Sequence, residues 1–306
     1  MKDFFIVLLK SVNKQREKVG FSLALLCALI VVVLTAGIIY FIGARGIALF
    51  IKDGIGLHQF LLGSQWWPDR PVEEGGPLVG VLPFILGSLA VSLSAVMISA
   101  PLSIIVAVFM VEIAPEWCRR VLQPSVELLT GIPSVVYGYV GLSVLVPLIR
   151  NHLGGYGFSV LAGFLVLSIM ILPTITSVSV DTLRALPAQW KEAAFSLGST
   201  RWQTIRLVLV PAARSGIITG IVLGLARAFG EALAVQMVIG ITRAIPTTFL
   251  DPVITLTSAI TMDMGYTVMG SLWNNVLWSM SLLLLIISFI FIVAIKLISR
   301  RGVVAR

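Results

Sequence analysis

Arg227 and Glu231 are the two charged residues of the stretch 215–242. Four residues apart on a helix, they would share one face, about 6 Å apart along the axis. Counting from Pro211 puts Arg227 roughly 24 Å along that axis, deep in a bilayer. An arginine there costs about 3 kcal/mol on insertion scales, so it must face a cavity or a partner. Its planar guanidinium matches phosphate oxygens bidentately. A carboxylate beside it can hold the arginine while no anion is bound and weaken a bound anion for release. The same two residues can also be a structural ion pair that fixes helix packing.

A second constellation lies at 183–210. It reads Trp190-Lys191-Glu192-Ala193-Ala194-Phe195-Ser196-Leu197-Gly198, with Val208-Leu209-Val210-Pro211 following. Residues 188–197 are mostly helix formers. Gly198 can take the positive φ that ends a helix. Ser199 or Thr200 can cap a second helix, and Pro211 is expected to separate that helix from the next. Such a helix–Gly–helix unit carries apolar Trp190, Phe195 and Leu197 but has no core of its own. It is a knob that needs a partner's groove.

Other chemistry is missing. A nucleotide-cradling loop needs Gly-Lys before Ser or Thr. No lysine here follows a glycine, so energy from ATP would have to enter through another subunit. The two cysteines, Cys27 and Cys118, are read as free thiols, and His58 and His152 are isolated. No cofactor or metal is expected in this chain.

The elements that position these residues follow from composition. Of 306 residues, 58% are apolar and 12% charged, against about 25% charged in a soluble domain. Runs 20–44, 75–111, 128–149, 151–180 and 264–295 hold no charged residue. Each exceeds the roughly 20 residues a helix needs to cross about 30 Å of hydrocarbon. With 215–242 they make six spans in an all-α membrane protein. A porin-like barrel is excluded, because its alternation is absent. The first run is too long for the core of a cleaved signal. The apolar patch 4–9, flanked by Lys2 and Lys10, is read as a frayed helix or a surface-lying one.

Basic residues orient the spans. Of 22 Lys and Arg, 16 fall on the side of the termini and the 183–214 segment, 5 on the other, and Arg227 within a span. Basic flanks stay in the cytoplasm, so both termini are read as cytoplasmic. The net charge of +8 then reflects this bias and contact with anionic lipid. No basic stripe with interleaved aromatics suggests nucleic acid.

The expected organisation is a cytoplasmic segment 1–19, a first span 20–43, an outer segment 44–78, a five-helix unit 79–299, and a cytoplasmic tail 300–306. The outer segment holds Trp66-Trp67-Pro68, read as an interface anchor or a docking surface for an outside partner. Span two, within 79–111, is longer than a bilayer needs, and is either tilted, kinked at Pro101 or extended beyond it. Spans three to six are placed near 122–148, 157–181, 212–240 and 267–296, with an amphipathic outer stretch at 251–263. Ser88, Ser92, Ser99 and Ser103 of span two read as packing residues before ligands. Gly220 and Gly224 can bring helices close.

The Glu192-Ala193-Ala194 unit, three residues, Gly198, nine residues and Val208-Leu209-Val210-Pro211 together resemble the EAA loop of ABC importer permeases, here about 188–211. Val208 and Val210 replace the usual Ile and Leu. Glu127-Leu128-Leu129-Thr130-Gly131-Ile132-Pro133-Ser134-Val135-Val136-Tyr137-Gly138 and Gly224-Leu225-Ala226-Arg227-Ala228-Phe229-Gly230-Glu231-Ala232-Leu233-Ala234-Val235 resemble phosphate permeases of the PstC type. The resemblance covers about 79–299, the first span and the Trp-Pro segment. It implies a type I ABC importer (MetI-like) permease fold with a cytoplasmic coupling helix, in the bacterial inner membrane. It implies Arg227 and Glu231 on the substrate path and Glu192, Ala193, Ala194 and Gly198 at the ATPase contact. The implied partners are a PstA-type sister permease, a PstB-type ATPase dimer that binds ATP and Mg, a PstS-type binding protein and inorganic phosphate. The same fold serves other oxyanions, such as molybdate, sulfate or phosphonate, and composition does not name the anion.

Overall fold

The computed structural model describes the backbone from Lys2 to Arg301 and side chains from Gly20 to Leu297. The patch 4–9 and the end of the tail, with Arg306, lie outside the described side chains. Among the described residues, five helical stretches are long and apolar enough to cross a membrane: Gly20–Ile51, Leu82–Ile113, Ser134–Leu153, Val160–Arg184 and Leu272–Leu297. A bent pair, Arg201–Ala212 and Arg214–Gly230, with 66° between its halves, meets the same measure of length and apolarity taken together, and counted as one span it makes six.

Helix α1 (Lys2–Ile51) carries the first span and runs on past the expected end at 43. Its side chains from Phe21 to Tyr40 are exposed on every face, as suits a helix set in lipid. Its last turns are held instead by protein, where Ser279 Oγ donates to the Gly46 carbonyl at 2.6 Å. After α2 (Leu57–Leu62) comes a two-stranded antiparallel hairpin, β1 (Trp66–Trp67) against β2 (Leu78–Val79). Successive residues of a strand face opposite ways. Trp66 is therefore 5% exposed, packed on Phe84 with centroids 4.8 Å apart, while Trp67 is 64% exposed. The tryptophan pair is split: Trp66 belongs to the core and only Trp67 is free for an interface.

Helix α3 (Leu82–Val108) passes through Pro101 and continues as a π-helical turn, Phe109–Ile113. At 1.5 Å per residue the whole measures about 48 Å, so span two extends beyond the hydrocarbon. Span three departs from expectation. Residues 122–131 are not part of it: they belong to α4 (Glu116–Gly131), an amphipathic helix that stops before Pro133. A proline pushes its predecessor out of the helical region, and Ile132 is extended, at φ −69° and ψ 128°. The span proper is α5 (Ser134–Val140), a π turn at Gly141–Leu145, and α6 (Val146–Leu153). Tyr137 Oη bridges the break, donating to the Leu129 carbonyl at 2.8 Å.

Helix α7 (Val160–Arg184) is the centre of the bundle, packed against α3. In lipid, close packing and hydrogen bonds hold helices together more than water exclusion does. Ser168 Oγ donates to the Ala95 carbonyl and Ser103 Oγ to the Leu172 carbonyl. Beyond α7 lie α8 (Ala188–Ser196), α9 (Arg201–Thr204), a π turn (Ile205–Leu209), α10 (Val210–Ala212) and α11 (Arg214–Gly230). A Cβ added at Gly224 would lie 2.6 Å from Ile175 Cγ1, so glycine is what lets α11 reach α7.

The chain closes with α12 (Leu233–Gln236), α13 (Leu256–Asp263) and α14 (Leu272–Arg301), the last packed against α1. Buried residues form three clusters along the bundle. One, around Phe60, Phe84 and Leu277, lies at the end opposite α8. The second, around Leu167, Ile171 and Ile239, fills the middle. The third, around Met110, Leu183 and Leu209, lies behind α8 and α9.

Candidate functional site

Two regions gather the residues singled out by sequence. The first is the knob of α8 and α9. Pro187 precedes α8, and Gly198 closes it at φ +79°, where a side chain would be strained. Thr200, not Ser199, caps the second helix. Thr200 Oγ1 accepts from Gln203 N, and Gln203 Oε1 accepts from Thr200 N, a reciprocal capping box. Ser199 Oγ instead donates to the Ala194 carbonyl at 2.7 Å, which stitches the turn. Pro211 does not separate the knob from span five as expected. The preceding π turn accommodates the proline ring, the helix runs through it, and the 66° bend falls at Ala213.

Ala194 is buried, whereas Glu192, Ala193 and Gly198 are exposed. Leu197 is 89% exposed, and Trp190, Phe195 and Trp202 are exposed too. All four apolar side chains belong to the same pair of short helices, Leu197 as the C-cap of α8. Glu192 makes no ion pair among the described residues, but its neighbour Lys191 bonds Glu112 Oε2 on the π turn of α3. The charged side of α4 lies near the same end. Arg184 Nη2 donates to Gln123 Oε1 at 2.9 Å, and Arg119 Nη2 to the Val111 carbonyl at 2.7 Å.

The second region surrounds Arg227. Helix α11 ends at Gly230, so Arg227 and Glu231 do not share a helix face and form no ion pair. Glu231 is extended, at ψ 126°, and its Oε1 accepts from Ala234 N at 3.0 Å. A carboxylate that takes an amide of the next helical turn competes with continued helix and behaves as a cap. Its own carbonyl accepts from Thr257 Oγ1 at 2.9 Å. Span five is thus interrupted at 231–232 instead of running to 240.

Arg227 has another partner. Its Nη1 donates to Thr174 Oγ1 of α7 at 3.0 Å. Arg227 stands roughly 20 Å along α11 from Arg214. Ser215, Thr219 and Leu223 precede it at four-residue intervals and are all exposed, while Ile217, Gly220, Gly224 and Ala228 are buried. Half-buried Arg227 therefore continues the row of α11 that the described residues leave uncovered. Thr174 was not singled out by sequence. The signal was a hydroxyl directly after Pro173, but Ser168, Thr176, Ser177 and Ser179 in the same span offer the same group, so sequence alone did not select it.

The serines of α3 are mostly spoken for. Ser92 Oγ donates to the Ala228 carbonyl at 3.4 Å, and Ser88 Oγ accepts from Leu256 N at 2.8 Å. Ser99 Oγ is buried without a partner among the described residues. On the side away from the knob, the loop 241–255 covers the start of α7: Val160 N and Leu161 N donate to the carbonyls of Asp251 and Phe249. These are amides that a helix start leaves unpaired. Hydrogen bonds from the hydroxyls and amides of Thr247 and Thr248 hold the Asp251 carboxyl well below the usual carboxylate range. Burial pushes the Asp263 carboxyl up, against the opposing pull of Arg243 at 3.3 Å.

Residues 99–303 match the family described as binding-protein-dependent transport system inner membrane component. The chain is 52% identical over 291 residues to the probable ABC transporter permease protein YqgH of Bacillus subtilis, covering 94% of this chain and 93% of that one. It is 34% identical over 278 residues to the phosphate transport system permease protein PstC of Mesorhizobium japonicum, covering 83% of each. For PstC of Haemophilus influenzae the identity is 34% over 259 residues, covering 78% of this chain and 80% of the relative. Among solved structures, a chain of the MetNI methionine ABC transporter superposes with a TM-score of 0.56 at 20% identity, covering 71% of this chain and 93% of that one. A chain of a bacterial alginate ABC transporter superposes with a TM-score of 0.58 at 18% identity, covering 89% and 94%. These two likenesses establish the fold.

Proposed function

Since the chain belongs to the binding-protein-dependent transport system inner membrane component family, we propose that it is a permease subunit that carries inorganic phosphate inward. One observation carries the reading. The Arg227 guanidinium, in the last turn of α11 and on its uncovered row, is bound to a neutral hydroxyl and to no carboxylate among the described residues. An uncompensated cation on such a row attracts an anion, and the planar fork suits phosphate oxygens. The choice of phosphate is supported by the names of the PstC relatives.

In this reading the uncovered row of α11 faces a sister permease, PstA-type by analogy, and the two line the path. The exposed apolar knob seats in a PstB-type ATPase, which binds ATP and Mg. The knob end is cytoplasmic, as are both termini, and a PstS-type binding protein delivers phosphate to the opposite end. Arg227 takes two oxygens of the passing anion while Thr174 keeps the guanidinium oriented. Glu231 acts indirectly, by holding the break at which the path opens. Glu192, Ala193, Ala194 and Gly198 form and shape the ATPase contact.

The test is uptake of labelled phosphate by a strain lacking its own high-affinity systems, supplied with the complete importer. Uptake that sulfate, molybdate and phosphonate fail to compete supports the reading. Uptake of one of those anions in place of phosphate overturns it.

A further inference from the structure

Glu112 is 8% exposed, on the π turn that prolongs α3. A buried carboxylate is costly unless it is paired. Its partner is Lys191 Nζ of α8, one residue before the Glu192-Ala193-Ala194 unit. Three connections lead from α8 to the region of Arg227. Two are covalent: one passes forward through the positive-φ turn at Gly198 and the 66° bend at Ala213, and one passes back through residues 185–187 into α7, whose Thr174 binds Arg227. The third runs through Glu112 into a continuous helical stretch, Leu82–Ile113. Near the far end of that stretch, Ser92 Oγ bonds the Ala228 carbonyl, next to Arg227, and Ser88 Oγ holds Leu256 N. Thr257, beside Leu256, holds the Glu231 carbonyl. One continuous helical element thus touches the knob at one end and, through Ser92 and Ser88, the surroundings of the break in span five toward the other. Coupling between distant sites is carried by such rigid elements joined by specific bonds.

We propose that the Lys191–Glu112 ion pair is the link through which movement of the knob is passed to α3 and thence to the Arg227 region, with both as positioning residues. The inference rests on the reading of α8 as the ATPase-coupling helix. It places the pair within the permease, apart from the surface that meets the ATPase.

The experiment uses proteoliposomes holding the complete importer, and measures labelled phosphate carried per ATP hydrolysed. Lys191→Met keeps the stem and removes the charge; Glu112→Gln keeps the shape. Each is expected to lower the ratio by about tenfold, within the span of effects seen between coupled sites. The ATPase should remain bound, as read by co-purification, and Lys191→Arg should retain a near-normal ratio. The double variant should be no worse than either single one, since both remove the same link. An unchanged ratio in Lys191→Met, or additive losses in the double variant, would overturn the inference. So would a fall in transport that merely follows loss of assembled complex. If Glu112→Gln reduces assembly, the half-exposed Lys191 decides alone. Leu197→Asp, on the free apolar face, separates the two levels of the reading. If it leaves the ATPase bound and coupled, the coupling role of α8 itself is wrong. If it releases the ATPase while Lys191→Met keeps the ratio, only the link is wrong.

Discussion

Arg227 Nη1 lies 3.0 Å from Thr174 Oγ1, joining α11 to α7 through a charged donor and a neutral acceptor. The bond aims the guanidinium without cancelling its charge. Thr174→Val keeps the volume and removes the acceptor. A hydrogen bond to a charged group contributes about 1.5–3 kcal/mol, and partial exposure reduces that, so phosphate uptake should fall by about tenfold or less. The loss should fall on KM first, because the charge remains and only its aim is lost. A saturation curve of labelled uptake checks this.

Glu231 is a cap in this structure. Glu231→Gln retains an oxygen that can accept from Ala234 N, and should keep most uptake and most protein. Glu231→Ala removes the cap, which costs about 1 kcal/mol, and should lower the melting temperature of the purified complex as well as uptake. Equal and complete loss of uptake in both variants, with unchanged melting, would instead give the carboxylate charge a direct role in transport.

Gly198 sits at φ +79°, and a Cβ there meets nothing within 4 Å. Substitution is therefore limited by backbone strain and not by space. A non-glycine residue in the left-handed region costs about 1–2 kcal/mol, and a β-branched one more. Gly198→Ala should keep ATPase binding, while Gly198→Val should displace the turn and weaken it. Co-purification of the ATPase with each variant reads the difference.

Asp251 is stabilised as the carboxylate by the Thr247 and Thr248 donors, so its native pKa is depressed. A depressed carboxylate contributes stability that is present above the unfolded pKa of about 3.9 and is lost as pH falls through the native value. Asp251→Asn should therefore loosen the 241–255 loop at pH 7. The difference from wild type should shrink only below the usual carboxylate range. Hydrogen exchange at the Val160 and Leu161 amides, which bond the Asp251 and Phe249 carbonyls, reports it.

The six crossings and the helix–Gly–helix knob were legible because each depends on local properties: apolar length in one case, and helix formers ended by a glycine in the other. The breaks were not. Apolar length says nothing of backbone direction, so residues 122–131 merged with span three although Pro133 signals the stop. The end of α11 at Gly230 depends on Glu231 bonding forward to Ala234 and on Thr257, 26 residues away, taking its carbonyl. Spacing of four made Arg227 and Glu231 look like a pair on one helix face, and only tertiary contacts choose Thr174 for the arginine. Trp66 and Trp67 look equivalent in sequence until β1 pairs with β2 and sends them to opposite faces.

The proposed path for phosphate requires that Arg227 meet the anion in transit. Glu231 is occupied by its own cap, so Arg227→Ala leaves only the half-buried, neutral Thr174 hydroxyl without its donor and should not disturb assembly. The direct measurement is labelled phosphate uptake by the complete importer with Arg227→Ala and with Arg227→Lys, with protein level and bound ATPase measured in the same membranes. Uptake should fall by at least about tenfold in both, since lysine keeps the charge but not the fork, with the complex intact. Normal uptake with Arg227→Ala, or uptake lost only in step with the complex, would rule out contact between Arg227 and the anion.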